Sequence, residues 1–253
     1  MGISALNNNA NSIYGKIASG LRIRTAADDA AGLSIANIMK REGNGLDAAS
    51  ANIQDGIGVA NIKDGALGSI QDSLHRIHEL SIKASNSLYG QSEKQMIQDE
   101  IDQVLQNIQD IAVGTQFNGM QLMDGSMADM HIAANADGRG MQIQMENTTL
   151  KELGIDGYNV TGKFDIRDIE NAMEKVTNAR GATGAMTNRM EHAYNSNTGN
   201  SLEMVKSRSR IEDLDVPKAV SEQKKNKLLQ DYKMGMMRKK MQNDSLVLKM
   251  FGM

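Results

Sequence analysis

Cysteine and tryptophan are absent from the 253 residues, proline occurs once, and aromatic residues make up only 3%. Without cysteine there are no disulfides and no thiolate metal sites, which is compatible with a reducing interior and equally with an exported protein that needs no cross-links. The scarcity of aromatics removes the large rigid side chains that fill wide cores and line ligand pockets, whereas long thin helical packing needs few of them. Pro217 is the single proline, so helices can run uninterrupted almost from end to end. No run approaches the ~18 apolar residues of a membrane span. The opening stretch "MGISALNNNANSIYGK" has neither the basic start nor the apolar stretch of a secretory signal, so any export is expected to use another route.

What is present is helical periodicity. From Ile3, apolar residues fall at Leu6, Ala10, Ile13 and Ile17, steps of three and four that mark a helix stripe or coiled-coil seam, and Ser19-Gly20 is expected to end it. "DDAAGLSIANIMKRE" reads as a short helix with acids in its first turn and Lys40 and Arg41 in its last, matching the helix dipole. "GNG" at 43–45 is expected to break it. Between Leu46 and about Asn86, residues Ala49, Ile53, Ala60, Leu67, Ile70, Leu74 and Ile77 share a seven-residue seam, long enough to predict a coiled coil. A turn at "SLYGQS" and an antiparallel return helix from Ser92 to about Val113 follow. The region from about 118 to 165 changes character, with strand-like alternation around an "ADGRG" turn that predicts a β-hairpin. A second long helix carries Ala172, Val176, Ala179, Thr183, Met186, Met190 and Ala193, and "NSNTGNS" near residue 198 is expected to bend or fray it. Val220, Leu228, Leu229, Tyr232, Met236, Met237 and Met241 give a basic terminal helix its apolar side. The fold expected is mainly helical, an elongated antiparallel coiled coil with a small hairpin and paired terminal helices.

Two charged knots punctuate this pattern near opposite ends. The first has Arg22, Arg24, Asp28 and Asp29, and the second has Arg208, Arg210, Glu212, Asp213 and Asp215. Their shared grammar predicts that the two ends meet. Residues 214–253 carry nine Lys or Arg against four Asp or Glu, a basic excess that could attract a polyanion, yet interleaved aromatics and a recognisable binding module are missing. No nucleic-acid or membrane partner is therefore expected. "NADGRGMQIQME" imitates a calcium loop, but Arg139 puts a cation where an oxygen ligand belongs, so a hairpin turn is the expectation. His75 and His78 lie three apart without a third ligand and read as a solvated helix face. No metal, no cofactor and no catalytic constellation are expected, and sixteen of nineteen methionines lie after residue 119, which suits adaptable packing at helix contacts.

The segments "SGLRI", "AADDAAGLSIA", "TQFNGMQLMDG", "GATGAMTNRME" and "SRSRIEDLD" resemble bacterial flagellin, in that family's order and over almost the whole chain. The resemblance implies an extracellular subunit of the flagellar filament, a homopolymer exported without a cleaved signal peptide, and not an enzyme. It also implies dealings with the export apparatus and its chaperone, and with the filament cap and hook-associated proteins. Residues 1–23 and 214–253 would form the paired core domain. Residues 24–213 would form the rod domain, with spoke segments at 24–45 and 206–213. In those spokes Arg22 and Arg24 are expected to approach Glu212, Asp213 or Asp215, while Arg208 and Arg210 approach Asp28 or Asp29. The family's rod is recognised by the innate-immune Toll-like receptor for flagellin, and "LHRIHELSIKAS" with "IQDEIDQVL" places Arg76, Glu79, Leu80 and Glu100 in the matching patch. The hook–filament junction protein, a structural relative with similar termini, is the alternative; a basic nucleic-acid or membrane binder is more distant.

Overall fold

The structure, a computed structural model, describes the backbone of residues 12–250 and their side chains except at 244 and 246–250. Ile3, Leu6 and Ala10, the start of the first expected stripe, lie outside the described residues. The chain folds as two compact units, one drawn from its two ends, up to Gly43 and from Leu202 onward, the other running from Asn44 to Ser201.

Residues 12–19 are helical (α1), and Gly20 stops the helix with φ 70°, a left-handed conformation that costs glycine nothing. Then come α2 (Ala30–Ala84), α3 (Gln91–Gly114), β1 (Gln116–Phe117), β2 (Met120–Gln121), β3 (Asp129–Ala133), β4 (Gly140–Gln144), α4 (Leu150–Leu153), α5 (Arg167–Glu212) and α6 (Val216–Met250). The mainly helical class is as the periodicity predicted.

In the larger unit, α2 lays Ile53, Ala60, Leu67, Ile70, Leu74 and Ile77 into one core with Ile101 and Ile108 of α3 and Ala172, Val176 and Met190 of α5. Each fully buried Leu or Ile contributes about 1.5–3 kcal/mol. The β1–β2 pair turns through Asn118 and Gly119, both at positive φ, the signature of a tight primed hairpin turn. The β3–β4 pair runs in register from Asp129↔Gln144 to Ala133↔Gly140, with Ile132 and Ile143 buried on its inner face. The "ADGRG" stretch closes it, as expected of a hairpin, and Arg139 pairs with its neighbour Asp137 at 3.0 Å.

Two expected interruptions are absent. "GNG" does not break α2, which passes through residues 43–45 as helix. Gly45 abuts the hairpin so closely that a Cβ there would lie 2.8 Å from the Ala136 Cβ and 3.1 Å from its Cα, so the residue serves packing and not termination. "NSNTGNS" does not interrupt α5, which stays continuous to Glu212. Two of its polar side chains are buried with partners: Asn197 donates to the Ala134 carbonyl at 2.7 Å and Ser201 to Asp47 at 2.6 Å. A satisfied buried amide holds the helix against the hairpin instead of fraying it.

Candidate functional site

The first candidate is the junction in the smaller unit, where the expectation that the two ends meet is fulfilled through the main chain. Leu21 bridges antiparallel to Asp213, the Arg22 N–H donates to the Glu212 carbonyl at 2.6 Å, and the Leu214 N–H donates to the Gly20 carbonyl at 2.9 Å. Ile23, 1% exposed, is the apolar plug beside this bridge. The charged side chains do something other than pair across the junction as carboxylate and guanidinium. Arg22 Nη2 donates to the Ile211 carbonyl at 2.5 Å, neutralising an orphan acceptor at the C-terminal, negative end of α5. Arg24 folds back on α1, its guanidinium so close that a Cβ on Gly15 would meet it at 2.6 Å.

The acids are mostly caps. Asp29 accepts from the Gly32 N–H at 2.9 Å and starts α2, and Asp215 accepts from the Lys218 N–H at 3.1 Å and starts α6, each serving as an N-cap. Asp28 closes its own loop by accepting from the N–H groups of Arg24 and Thr25, and it pairs with Lys16 at 2.8 Å. The Lys16 ammonium, reinforced by those two N–H groups, holds the Asp28 carboxyl far below the usual carboxylate range. In the second knot Arg208 pairs one turn on with Glu212 at 3.5 Å, and Asp213 accepts from Ser209. Arg210 stands in the last turn of α5. Among the described residues no ion pair joins Arg208 or Arg210 to Asp28 or Asp29, nor Arg22 or Arg24 to Glu212, Asp213 or Asp215. The physical reason is that helix ends leave backbone donors and acceptors in need of partners, and the charged groups answer those first.

The second candidate is a charged face in the larger unit. Arg76 of α2 reaches Glu100 of α3 through two nitrogens, Nε lying 2.9 Å from Oε1, and also approaches Glu79 at 3.4 Å. The Arg76 and Glu100 side chains remain about half exposed. Leu80 does not share this surface: at 3% exposure it belongs to the core, because the i+3 and i+4 positions that continue Leu74 and Ile77 along the helix turn inward. His78 sits 3.7 Å from Glu170 of α5. Among the described residues, no three His, Asp or Glu side chains gather as a metal would need.

Periodicity did not flag a third feature. Lys63 is 1% exposed, donates to the Gln144 carbonyl at 2.6 Å, and forms an ion pair with Glu146. It anchors the end of β4 to α2. Its position three after Ala60 and four before Leu67, squarely in the seam, was the available signal. Gln98 behaves similarly, its amide donating to the Tyr158 carbonyl and accepting from the Val160 N–H. Tyr158 in turn donates to Ser81 at 3.1 Å, and burial pushes its phenol above the usual range.

Comparison with known proteins identifies the family. Residues 2–128 match the model of the bacterial flagellin N-terminal helical region, and residues 166–250 that of the C-terminal helical region. Phase 1 flagellin of Salmonella naestved is 39% identical over 165 residues, 64% of this chain and 32% of the relative, and flagellin of Salmonella enteritidis gives the same figures. The matched stretch thus spans about a third of the length of these relatives. The crystal structure of Bacillus cereus flagellin aligns with TM-score 0.53 and 27% identity over 58% of this chain and 88% of that one. A flagellar hook-associated protein structure from Vibrio parahaemolyticus aligns with TM-score 0.58 over 73% of this chain and 99% of that one, at 15% identity a likeness of fold alone. With the N-terminal model covering half of the sequence and the C-terminal model following in order, the chain belongs to the bacterial flagellin family.

Proposed function

We propose that the chain is a structural subunit that polymerises into the bacterial flagellar filament outside the cell, its terminal segments 1–23 and 214–253 forming the self-associating core. The observation that carries this reading is α6: Leu228, Tyr232, Met236 and Met241 are each more than half exposed, although a helix of this length gains most of its stability from burying such residues. A family whose subunits are filament proteins supplies the natural cover, namely further copies. The export apparatus with its chaperone, the cap and the hook-associated proteins are the partners that follow from it. Electron microscopy of the purified protein under polymerising conditions tests the reading. Long filaments of this chain alone are expected, which also separates a subunit from a junction protein; a protein that stays monomeric in sedimentation and forms no fibres would overturn it.

On the larger unit, the Arg76, Glu79 and Glu100 face is the surface offered to the innate-immune receptor for flagellin. A half-exposed arginine held by two carboxylates is preorganised for a partner's polar groups, and arginine is enriched among interface hot spots. Leu80 supports this face from beneath without touching the receptor. Measured binding of the receptor ectodomain is expected to weaken on Arg76→Ala, and unchanged affinity would remove the assignment.

A further inference from the structure

Six methionines are exposed among the described residues, and four of them, Met234, Met236, Met237 and Met241, fall within eight residues of α6. Their exposures are 40%, 53%, 41% and 72%. By contrast Met123 and Met190 are sealed at 0% and Met145 at 5%. The α6 side chains do not form one narrow stripe: at 100° per residue Leu228, Tyr232 and Met236 share one side, whereas Met234, Met237 and Met241 fall on another. Methionine therefore supplies much of the apolar surface that a second copy would have to cover, and on more than one side of the helix.

We propose that these four thioethers are an oxidation site that controls self-assembly, with peroxide as the co-reactant. The inference rests on the filament reading given above. In the free subunit a thioether sulfur attacks the distal oxygen of hydrogen peroxide. An S–O bond forms as the O–O bond breaks, and the displaced hydroxide takes the proton of the attacked oxygen and leaves as water. Sulfur is oxidised by two electrons and the peroxide is reduced. The product, methionine sulfoxide, replaces a flexible apolar group with a polar one. Each of the four then brings an oxygen acceptor into a contact that α6 can make only by burying apolar surface, where an unpaired polar group is costly. The modification is reversible, because a sulfoxide reductase supplied with a dithiol returns the thioether and releases water. Susceptibility follows access, so Met241 reacts first and Met123 and Met190 last.

The test uses the full chain. Wild type and a variant with Met234→Leu, Met236→Leu, Met237→Leu and Met241→Leu are exposed to hydrogen peroxide, mapped by peptide mass spectrometry, and assayed for polymerisation with and without reductase repair. Leucine keeps the apolar volume and the helix propensity. Oxidised wild type is expected to need at least about tenfold more protein to polymerise, and repair to restore it. The leucine variant is compared with itself: its polymerising concentration, measured before treatment, is expected to be the same after treatment, even though exposed Met96 of α3 is oxidised. Wild type carrying four sulfoxides and assembling at an unchanged concentration, or a loss that repair does not reverse, would overturn the proposal. Equal loss in the leucine variant would do the same. Failure of untreated wild type to polymerise sinks the filament reading itself and this inference with it.

Discussion

Replacing Lys63 puts the sharpest number on the larger unit. Its ammonium is 1% exposed and has two partners, the Gln144 carbonyl at 2.6 Å and the Glu146 carboxylate, itself 32% exposed. Lys63→Ala removes the charge, strands a buried carbonyl and deletes most of the stem from a seam bounded by Ala60 and Leu67. Breaking a buried pair from one side costs ~3–5 kcal/mol; water reaching the third-exposed Glu146 places this case near the lower bound, about 3 kcal/mol. For a chain of this size that corresponds to roughly 6–12 °C in Tm. Lys63→Met keeps the stem and is expected to cost less, about 1–2 kcal/mol, mainly for the unsatisfied Gln144 carbonyl. Adding Glu146→Leu to Lys63→Met then recovers part of the loss, since no lone carboxylate remains beside an apolar side chain. Thermal and urea unfolding followed by circular dichroism at 222 nm reads all three. Lys63→Ala within about 0.5 kcal/mol of wild type, the range of an ordinary surface substitution, would refute the reasoning.

Arg76→Ala and Glu100→Ala lie at the opposite end of the scale: both side chains are about half in water, so unfolding is expected to be nearly unchanged and any coupling between them to fade in high salt. Gly45→Ala should destabilise, because its Cβ would press on the Ala136 backbone, whereas Gly65→Ala, with nothing within 4 Å, should stabilise by up to about 1 kcal/mol through helix propensity; paired melts decide. Asp28, whose carboxyl is held far below its ordinary value of 3.8 by Lys16 and the Arg24 and Thr25 N–H groups, contributes stability that is fully present above that value. The contribution is lost as pH falls through the depressed folded value. The Arg24 and Thr25 amide resonances are therefore expected to hold their positions through pH 4 and move only in stronger acid, while Asp28→Asn shifts them at neutral pH.

Apolar spacing made the helices and their inner faces legible. Every position read into the first seam, from Ala49 to Ile77, is buried, because burial imposes the three-and-four spacing directly. Glycine and asparagine misled at 43–45 and 195–201, where propensity argues for a break. Propensity is worth about 1 kcal/mol per glycine, and close approach to the hairpin at Ala136, with hydrogen-bond partners for the buried Asn197 and Ser201, outweighs it. The charged knots are visible in the sequence, but the partners of their side chains are not legible there. Spacing says which residues carry charge, whereas the number of unpaired N–H and C=O groups at each helix end decides where that charge is spent.

The same logic explains why the two knots share a grammar. Each marks a place where one helix ends and another begins within a few residues: Gly20 to Ala30 in one, Glu212 to Val216 in the other. Each therefore needs an acid ahead of the next N-terminus, supplied by Asp29 and Asp215. At the second knot the preceding C-terminus also takes a cation from the first, Arg22 on Ile211, so one arginine links the ends of the chain while satisfying a helix. An arginine-to-carboxylate pair at that place would leave the Ile211 carbonyl to water and would fix the two segments only through flexible side chains. Main-chain bonds from Arg22 to Glu212 and from Leu214 to Gly20 fix register instead. Under the filament reading proposed above, terminal helices that present the same apolar surface to every neighbouring copy depend on register more than on the strength of any single ion pair.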